Sequence, residues 1–404
     1  MVTEISVIDK RYPPQFWLMF TGMIISSIGG SMIWPFLMIY ASEKLAMPLG
    51  QVTALMTINA VAGLISAFIA GPVIDRLGRK WIMVISLCTN GLAYLFLSQA
   101  ATFPLFALLM GISGSVNPLY RVGSDAMLAD LIPQAKRLDA YSLMRLSNNI
   151  GVALGPALGG FIATRSYTYA FLGATTGMVT YSLLLAFLAK ETLPGKQNNH
   201  TDKPARERFG GYPSILKDIP FMSFIVAFTL VTFCAVTMWV LLGVYSKQNF
   251  SIPESQYGWI ATTNALMVIF FQIPVTSVSK RYPNLGVLII GAIFYATAVT
   301  SIAFGQGFWW FWCSMVIMTI GELLLMPTSS TFVANLAPPD KRGRYMSIYG
   351  LTWGAASGTA PLLGGFLNDT FGPRMIWFGA GLVGLIGIFG FLILFLKQKV
   401  PKEI

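Results

Sequence analysis

The sequence is poor in charge, in cysteine and in histidine. Only 11% of its 404 residues are charged, against about 25% in an average soluble domain. Its three cysteines (Cys88, Cys234 and Cys313) lie in apolar runs without the spacing of a disulfide or metal site, and its one histidine, His200, lies in a polar stretch. No Gly-x-Ser-x-Gly turn, phosphate-binding loop or metal-binding histidine pair is present. These absences argue against an enzyme of a familiar class and against a bound cofactor or metal.

Long uncharged runs of apolar residues fill the chain instead. Hydrophobic residues make up 55% of it, and a run of 18 or more predicts a transmembrane helix because a bilayer core needs about 20 residues at 1.5 Å each. The first run is too long for a cleaved signal peptide. We therefore predict an all-α integral membrane protein with twelve transmembrane segments, at 16–41, 52–72, 81–100, 103–129, 140–164, 167–189, 220–246, 256–278, 284–305, 307–335, 343–367 and 375–396.

The net charge of +11 is distributed as a topology signal. If the N-terminus is inside, its tail, the connections after even-numbered segments and the C-terminal tail hold 21 of the 27 Lys and Arg residues, counting Arg344 at the start of the eleventh segment. The connections after odd-numbered segments hold only four: Lys44, Arg165, Lys247 and Arg374. This asymmetry predicts a multi-pass inner-membrane protein with both termini in the cytoplasm. It also argues against nucleic acid as a partner, since the positive charge follows the loops.

The two halves of the chain are related. A polar segment rich in Pro, Gly and Asn separates six predicted segments from six, so we predict bundles at 1–189 and 220–404 joined by a cytoplasmic linker at 190–219. A shift of 205 residues superposes eight identities within 29 positions: Pro133, Lys136, Arg137, Ser142, Pro156, Gly159, Gly160 and Phe161 on Pro338, Lys341, Arg342, Ser347, Pro361, Gly364, Gly365 and Phe366. Repeated six-helix units of this kind are typical of transporters whose substrate site lies near the membrane midplane.

Two motifs resemble those of the major facilitator superfamily. The stretch GPVIDRLGRK, 71–80, is similar to the superfamily's loop motif G-x-x-x-D-R-x-G-R-K/R, with matches at Gly71, Asp75, Arg76, Gly78, Arg79 and Lys80. The stretch GVALGPALGG has the spacing G-x3-G-P-x2-G-G, with matches at Gly151, Gly155, Pro156, Gly159 and Gly160. The second motif resembles that of the drug/proton antiporter group. The resemblance covers essentially the whole chain and implies two pseudo-symmetric six-helix bundles.

The resemblance implies a cytoplasmic latch at 71–80. The loop acid, Asp75, would meet a helix N-terminus of the second half, and an arginine would pair with an acid at the end of the fourth segment, here Asp130. The alternative is that the cations only set topology, which would require neither an acid nor a glycine. The corresponding stretch of the second half has Ser277 in place of Asp75, so we expect an incomplete latch there.

The glycines of the fifth segment have a direct physical interpretation. Small residues at every fourth position allow helices to approach closely, and Pro156 removes a backbone donor and can kink its helix. The resemblance adds a role in preventing leak during exchange.

Glu322 is the foremost candidate for proton coupling. It lies about fifteen residues into the tenth segment, where an ionisable group costs about 2.5–3.5 kcal/mol on insertion scales. Such a group should face a cavity or a partner, and loss of water favours its protonated form. A structural glutamate bonded to a neighbouring helix is the alternative.

Asp125, Arg121 and Arg145 form a second ionisable set. Arg121 and Asp125 are four residues apart, and Arg145 should reach a similar depth on the next segment. Either a buried ion pair joining the two segments or a proton-linked switch would explain them. The fourth segment departs from the antiporter pattern, since the apolar run Phe106–Gly111 replaces the usual mid-helix arginine.

Aromatic, methionine and asparagine side chains are candidates to line a substrate cavity. Aromatic and Met-rich cavities bind bulky apolar cations adaptably, although Trp and Tyr also collect at membrane interfaces. The candidates are Met32, Trp34, Asn117, Tyr120, Trp239 and Asn264.

Together these features predict a monomeric secondary transporter that works by alternating access in the lipid bilayer. The predicted activity is proton-coupled export of small amphipathic or cationic compounds, with the proton gradient as energy source and no cofactor. Uptake of a nutrient or movement of a lipid-linked substrate is the alternative. A non-transporting sensor fits less well, because a static receptor would not need the latch or the Gly-Pro elements.

Overall fold

In a computed structural model the described residues, 12–193, 215–338 and 341–399, form long helices and no strand. We number twelve of them in chain order: α1 (Pro14–Leu45), α2 (Leu49–Leu77), α3 (Arg79–Leu97), α4 (Phe103–Leu131), α5 (Arg137–Ala163), α6 (Tyr167–Leu188), α7 (Ile219–Phe250), α8 (Glu254–Ser279), α9 (Asn284–Ile302), α10 (Phe308–Leu336), α11 (Arg342–Phe371) and α12 (Met375–Lys399). Of the predicted linker at 190–219, residues 194–214 lie outside the described part of the chain.

The helices follow the predicted apolar segments closely. Eleven of them are long and apolar enough to cross a membrane. The remaining helix, α11, is 30 residues long but mixes Gly, Ser and Thr with its apolar residues. Eleven of the twelve predicted membrane spans are therefore confirmed by length and composition. Helix α2 runs five residues beyond the predicted end at residue 72, because charged residues end an apolar run without ending a helix.

Turn residues set the helix ends. Proline occupies the first turn of α1, α4 and α7, where its missing N–H costs no intrahelical hydrogen bond. Helix α1 is interrupted by one 3-10 turn at Trp34–Phe36, which contains Pro35. At the start of α7 the carboxylate of Asp218 accepts a hydrogen bond from the Phe221 N–H at 3.1 Å, which caps the helix.

The described residues divide into two compact units that exchange the ends of two helices. Unit 1 holds 12–46, 58–193 and 253–265, and unit 2 holds 47–57, 215–252, 266–338 and 341–399. Helix α2 therefore begins in unit 2 and continues in unit 1, while α8 begins in unit 1 and continues in unit 2. The sequence predicted two bundles at 1–189 and 220–404, and this prediction did not include the exchange of helix ends.

Close glycine packing explains the exchange. In unit 2 the start of α2 lies directly against Gly365 of α11, and the carboxylate of Asp369 accepts hydrogen bonds from Leu49 N at 3.1 Å and Gly50 N at 2.7 Å. In unit 1 the start of α8 lies against Pro156 and Gly160 of α5. There Tyr167 donates from its hydroxyl to Glu254 at 2.7 Å.

The structure supports the repeat inferred from the sequence. Helices α5 and α11 begin at the aligned arginines Arg137 and Arg342. In each helix the second glycine of the aligned Gly-Gly pair, Gly160 or Gly365, receives the start of another helix. A methyl group at either position would overlap that helix's backbone, so the shared glycines have a packing role in both units.

Each unit has its own core of large side chains. In unit 1, Phe16, Met83 and Tyr181 belong to one buried cluster. In unit 2, Phe224 stacks between Phe228 and Phe391 with ring centroids 5.7 Å apart in both pairs. Burial of such side chains stabilises each bundle against the rearrangement of its own helices.

Candidate functional site

The corner between α2 and α3 is a one-residue connection at Gly78. Its backbone has φ 93° and ψ 157°, a combination that only glycine adopts without strain. Gly78 is buried, and a methyl group there would overlap the carboxylate of Glu191. The backbone conformation therefore requires glycine at this position, and a methyl group would in addition displace the Glu191 carboxylate.

Arg79 connects two acids at this corner. Its guanidinium lies 3.3 Å from Asp75, on the preceding helix end, and 3.2 Å from Asp130, near the end of α4. The Arg79 side chain is 12% exposed, whereas that of Asp75 is 68% exposed. The arginine–Asp130 contact implied by the resemblance is thus present. In this structure Asp75 faces solvent and pairs with Arg79, and the described residues give it no contact with a helix N-terminus.

Glu191 is a part of the corner that sequence reasoning missed. Its carboxylate accepts hydrogen bonds from the backbone N–H groups of Arg79 at 2.9 Å and Lys80 at 3.1 Å, so it caps α3 from 111 residues further along the chain. The neighbouring Thr192 donates to Asp130 at 3.1 Å. An acid directly after the sixth apolar segment is visible in the sequence, but nothing in the sequence connects it to residue 79.

The remaining motif residues lie at the surface of the corner. Arg76 is exposed, and Lys80 lies over the ring of Trp81 with its Nζ 5.0 Å from the ring centroid. A methyl group at Gly71 would meet no atom within 4 Å. The packing of this structure therefore gives no reason for glycine at position 71.

The glycine motif of α5 packs on two other helices of unit 1. Methyl groups at Gly151, Gly155 and Gly159 would overlap Ser27, Ser31 and Met32 of α1, respectively. The other side of the motif, at Pro156 and Gly160, receives the start of α8. The motif thus lets α5 approach two helices at once, as its small residues predict.

The predicted ion pair between α4 and α5 is not formed. Arg121, Asp125 and Arg145 are all exposed, and the ion pairs within 4.0 Å among the described residues include none of the three. The two helices are instead joined by Tyr141, whose hydroxyl donates to the backbone oxygen of Asp125 at 3.0 Å. A spacing of four residues therefore does not bring Arg121 and Asp125 into an ion pair within 4.0 Å in this structure.

The six predicted cavity residues have different environments. Asn117 and Trp34 are exposed, and Tyr120 and Trp239 are half-buried. Met32 is buried against Gly159 and Gly173, and Asn264 is 4% exposed. Both side chains are therefore covered in this structure, and the assignment of Met32 and Asn264 to a cavity wall stays a prediction.

Glu322 lies in the middle of α10 in unit 2 and is half-buried. It is the only charged residue of that 29-residue helix. The adjoining Gly321 allows α10 to lie against the ring of Tyr295 on α9. The structure thus places Glu322 and the set of Arg121, Asp125 and Arg145 in different units.

Comparisons with a family model, with curated relatives and with solved structures all find transporters. The family model described as Major Facilitator Superfamily matches residues 19–249 and 229–404. The chain is 26% identical over 385 residues to a Na+, Li+, K+/H+ antiporter of Planococcus maritimus, covering 88% of each chain. It is 25% identical over 333 residues to the multidrug resistance protein MdtH of Escherichia coli (strain K12 / DH10B), covering 80% of this chain and 79% of that protein. Among solved structures, the nucleoside transporter NupG superposes with a TM-score of 0.80 at 13% identity, over 95% of this chain and 99% of that one.

Proposed function

This chain belongs to the Major Facilitator Superfamily, and from that premise we propose that it exports small amphipathic or cationic compounds in exchange for protons. It is a multi-pass membrane protein and a secondary transporter rather than an enzyme. The direction, the substrate and the coupling ion are the parts that we propose.

The observation that carries the proposal is Glu322. A carboxyl group that is the sole charge of an apolar spanning helix is expensive unless it is neutralised or faces a cavity. A proton neutralises it without any other change in the protein. A group that binds and releases a proton in the course of transport is what exchange against protons requires.

Three further observations support export by exchange. The α5 glycine motif, which resembles that of drug/proton antiporters, packs closely on α1 and α8. The relatives include a protein named as a cation/proton antiporter and one named as a multidrug resistance protein. The corner at 71–80, with Arg79 between two acids, supplies interactions that can be broken and remade as the transporter changes state.

One proton provides enough energy for this task. A charge moving through 100 mV releases about 2.3 kcal/mol. Since about 1.4 kcal/mol corresponds to a tenfold ratio of concentrations, one proton could maintain a gradient of roughly 50-fold for a neutral compound. A single titrating carboxyl group is therefore sufficient for a neutral compound, whereas a univalent cation exchanged for one proton is driven by the pH difference alone.

The proposal is tested in proteoliposomes of known orientation with an imposed pH gradient. The probe is rhodamine 6G, a cationic amphipathic dye, and wild type is compared with Glu322→Gln. We expect gradient-driven accumulation in wild type and its loss in the variant, while dye binding persists. The matched control is Asp139→Asn, which neutralises an exposed acid in the first turn of α5 and should leave accumulation unchanged.

Two results would contradict the proposal in different ways. If the imposed gradient has no effect on dye movement in wild type, export in exchange for protons is wrong. If accumulation persists undiminished in Glu322→Gln, the proton site is not Glu322, and Asp125 becomes the residue to test.

A further inference from the structure

Several polar side chains on α4 and α5 are exposed within the membrane-spanning part of unit 1, among them two asparagines and two arginines. Asn117 and Arg121 are one turn apart on α4, and Arg145 and Asn148 are one turn apart on α5. Such groups are too costly to face lipid and therefore face water or a ligand. We call these four residues the donor face, for the reason given by their hydrogen bonds.

Asn117 is held so that its amide NH2 group points outward. Ser113 donates from its hydroxyl to Oδ1 of Asn90 at 2.7 Å, and Nδ2 of Asn90 donates to Oδ1 of Asn117 at 3.1 Å. Ser113 and Asn90 are buried, at 3% and 5% exposure. The oxygen of Asn117 is thus occupied from inside the bundle, and no described residue accepts from its nitrogen.

Asn148 repeats this arrangement on the neighbouring helix. The Ser27 hydroxyl of α1 donates to Oδ1 of Asn148 at 2.7 Å. Asn148 is exposed, and again no described residue accepts from its amide nitrogen. Two asparagines on two helices therefore have their acceptor atoms occupied and their donor atoms available.

The two arginines of the face add donors only. A guanidinium group has five N–H donors and no acceptor. Within the described parts of the chain neither Arg121 nor Arg145 forms an ion pair or a hydrogen bond. Asp125, one turn after Arg121 on α4, is also exposed and offsets one of the two positive charges, so the four residues and Asp125 together keep a positive charge as well as a surplus of donors.

We infer that the donor face recognises a hydrogen-bond acceptor on the transported compound, such as a carbonyl or carboxylate oxygen. This inference rests on the proposed transport function and narrows its substrate class. Among amphipathic compounds, those with a carbonyl oxygen can occupy the open donors, whereas a purely hydrocarbon cation leaves them unpaired and meets a positive charge. Ser113 and Asn90 act as positioning residues, since they orient Asn117 without touching the compound.

The test compares two cations of similar lipophilicity. Rhodamine 6G carries an ester carbonyl, and tetraphenylphosphonium carries no acceptor. Binding of each dye and its gradient-driven accumulation are measured for wild type, for Asn117→Asp, and for Asn335→Asp as a matched control. Asn335 is an exposed asparagine near the end of α10, so this control makes the same chemical change away from the donor face.

Asn117→Asp keeps the shape of the side chain and replaces the outward NH2 group by an oxygen. We expect rhodamine 6G binding to weaken by about tenfold, as loss of one hydrogen bond and repulsion between two oxygens require. Tetraphenylphosphonium binding should be unchanged or tighter, and Asn335→Asp should bind both compounds as wild type does.

Asn90→Leu tests the positioning role through selectivity. The variant removes the donor that holds Asn117 while filling a similar volume, so the preference for rhodamine 6G over tetraphenylphosphonium should fall. The double variant Asn90→Leu with Asn117→Asp should have nearly the same preference as Asn117→Asp alone. A purely structural defect would instead lower binding of both compounds by the same factor.

The outcomes separate this inference from the proposed function. If both compounds accumulate under the gradient and Asn117→Asp changes neither, the donor face does not recognise an acceptor, although proton-driven export stands. If wild type binds tetraphenylphosphonium as tightly as rhodamine 6G, the inference is likewise wrong. If neither compound binds or moves in wild type, both the inference and the proposed function fail for this class of compound.

Discussion

The two corners at aligned positions of the repeat are built differently. The first joins α2 to α3 through Gly78 alone, with Arg79 between two acids and Glu191 capping α3. The second joins α8 to α9 through residues 280–283. When Pro72 is aligned with Pro274, each inside its helix, the acid and the glycine of the first corner are Ser277 and Lys280 in the second.

This difference distinguishes the residues that set membrane topology from those that could form a latch. Lys280 and Arg281 are exposed at the second corner, and the described residues there form no ion pair. Positive charge alone is therefore enough for a corner that only sets orientation. The first corner adds a positive-φ glycine and three acids, which topology does not require, so we expect the latch that the family resemblance implies at this corner alone.

The largest effect should come from Gly78→Ala. Its backbone conformation costs a non-glycine residue about 1–3 kcal/mol, and the added methyl group would also displace Glu191. We expect a clear fall in the apparent unfolding temperature in detergent together with loss of transport. Gly286→Ala is the control just after the second corner, in the first turn of α9, since a methyl group there meets no atom within 4 Å and alanine favours the helix. Equal destabilisation by both variants would contradict the distinction between the corners.

Arg79→Gln should have the next largest effect. It removes both ion pairs of a largely buried guanidinium, which we expect to lower the free energy of unfolding by about 1–2 kcal/mol. Arg281→Gln, at the aligned position of the second corner, should change it by less than about 0.5 kcal/mol. Unfolding in detergent, followed by tryptophan fluorescence, measures both. If Arg281→Gln proved as costly as Arg79→Gln, the second corner would hold a latch that we have not assigned.

Glu191→Gln should have a smaller effect. The amide keeps one acceptor oxygen for the backbone N–H groups of Arg79 and Lys80 but loses the negative charge at the N-terminus of α3, at a cost of about 0.3–1 kcal/mol. High salt should reduce the difference from wild type, because the lost term is electrostatic. A difference of several kcal/mol would show that Glu191 does more than cap the helix.

The smallest effect is expected from adding the missing acid to the second corner. Ser277→Asp places a carboxylate four residues before Arg281, as Asp75 precedes Arg79, and should stabilise the protein by about 0.2–0.5 kcal/mol. Transport should be unchanged, because the glycine and the capping acid are still missing. A marked change in transport rate would mean that one ion pair suffices to make a latch there.

Much of the fold could be predicted from the sequence because the bilayer imposes simple rules on it. The apolar runs predicted the eleven helices that are long and apolar enough to span a membrane. The shift of 205 residues aligns Arg137 with Arg342, and these two residues begin α5 and α11. The exchange of helix ends could not be predicted. It depends on close contacts between distant residues, such as Gly50 with Gly365, that have no local pattern.

The candidate site was predicted less completely. The arginine–Asp130 contact came from a family motif, whereas Glu191, Ser113 and Asn90 act through contacts that the local pattern does not report. A contact between charged side chains also cannot be read from spacing: Arg121 and Arg145 were paired with Asp125, whereas all three are exposed and form no ion pair within 4.0 Å. Helix packing likewise covers Met32 and Asn264.

The most direct test of proton exchange is the movement of protons driven by the substrate itself. A pH-sensitive dye is enclosed in proteoliposomes without any imposed pH gradient, and rhodamine 6G is added outside. We expect the lumen to become alkaline as the compound enters and protons leave, and we expect no pH change with Glu322→Gln. Entry of rhodamine 6G without a pH change, or with acidification of the lumen, would contradict exchange and indicate uncoupled movement or symport.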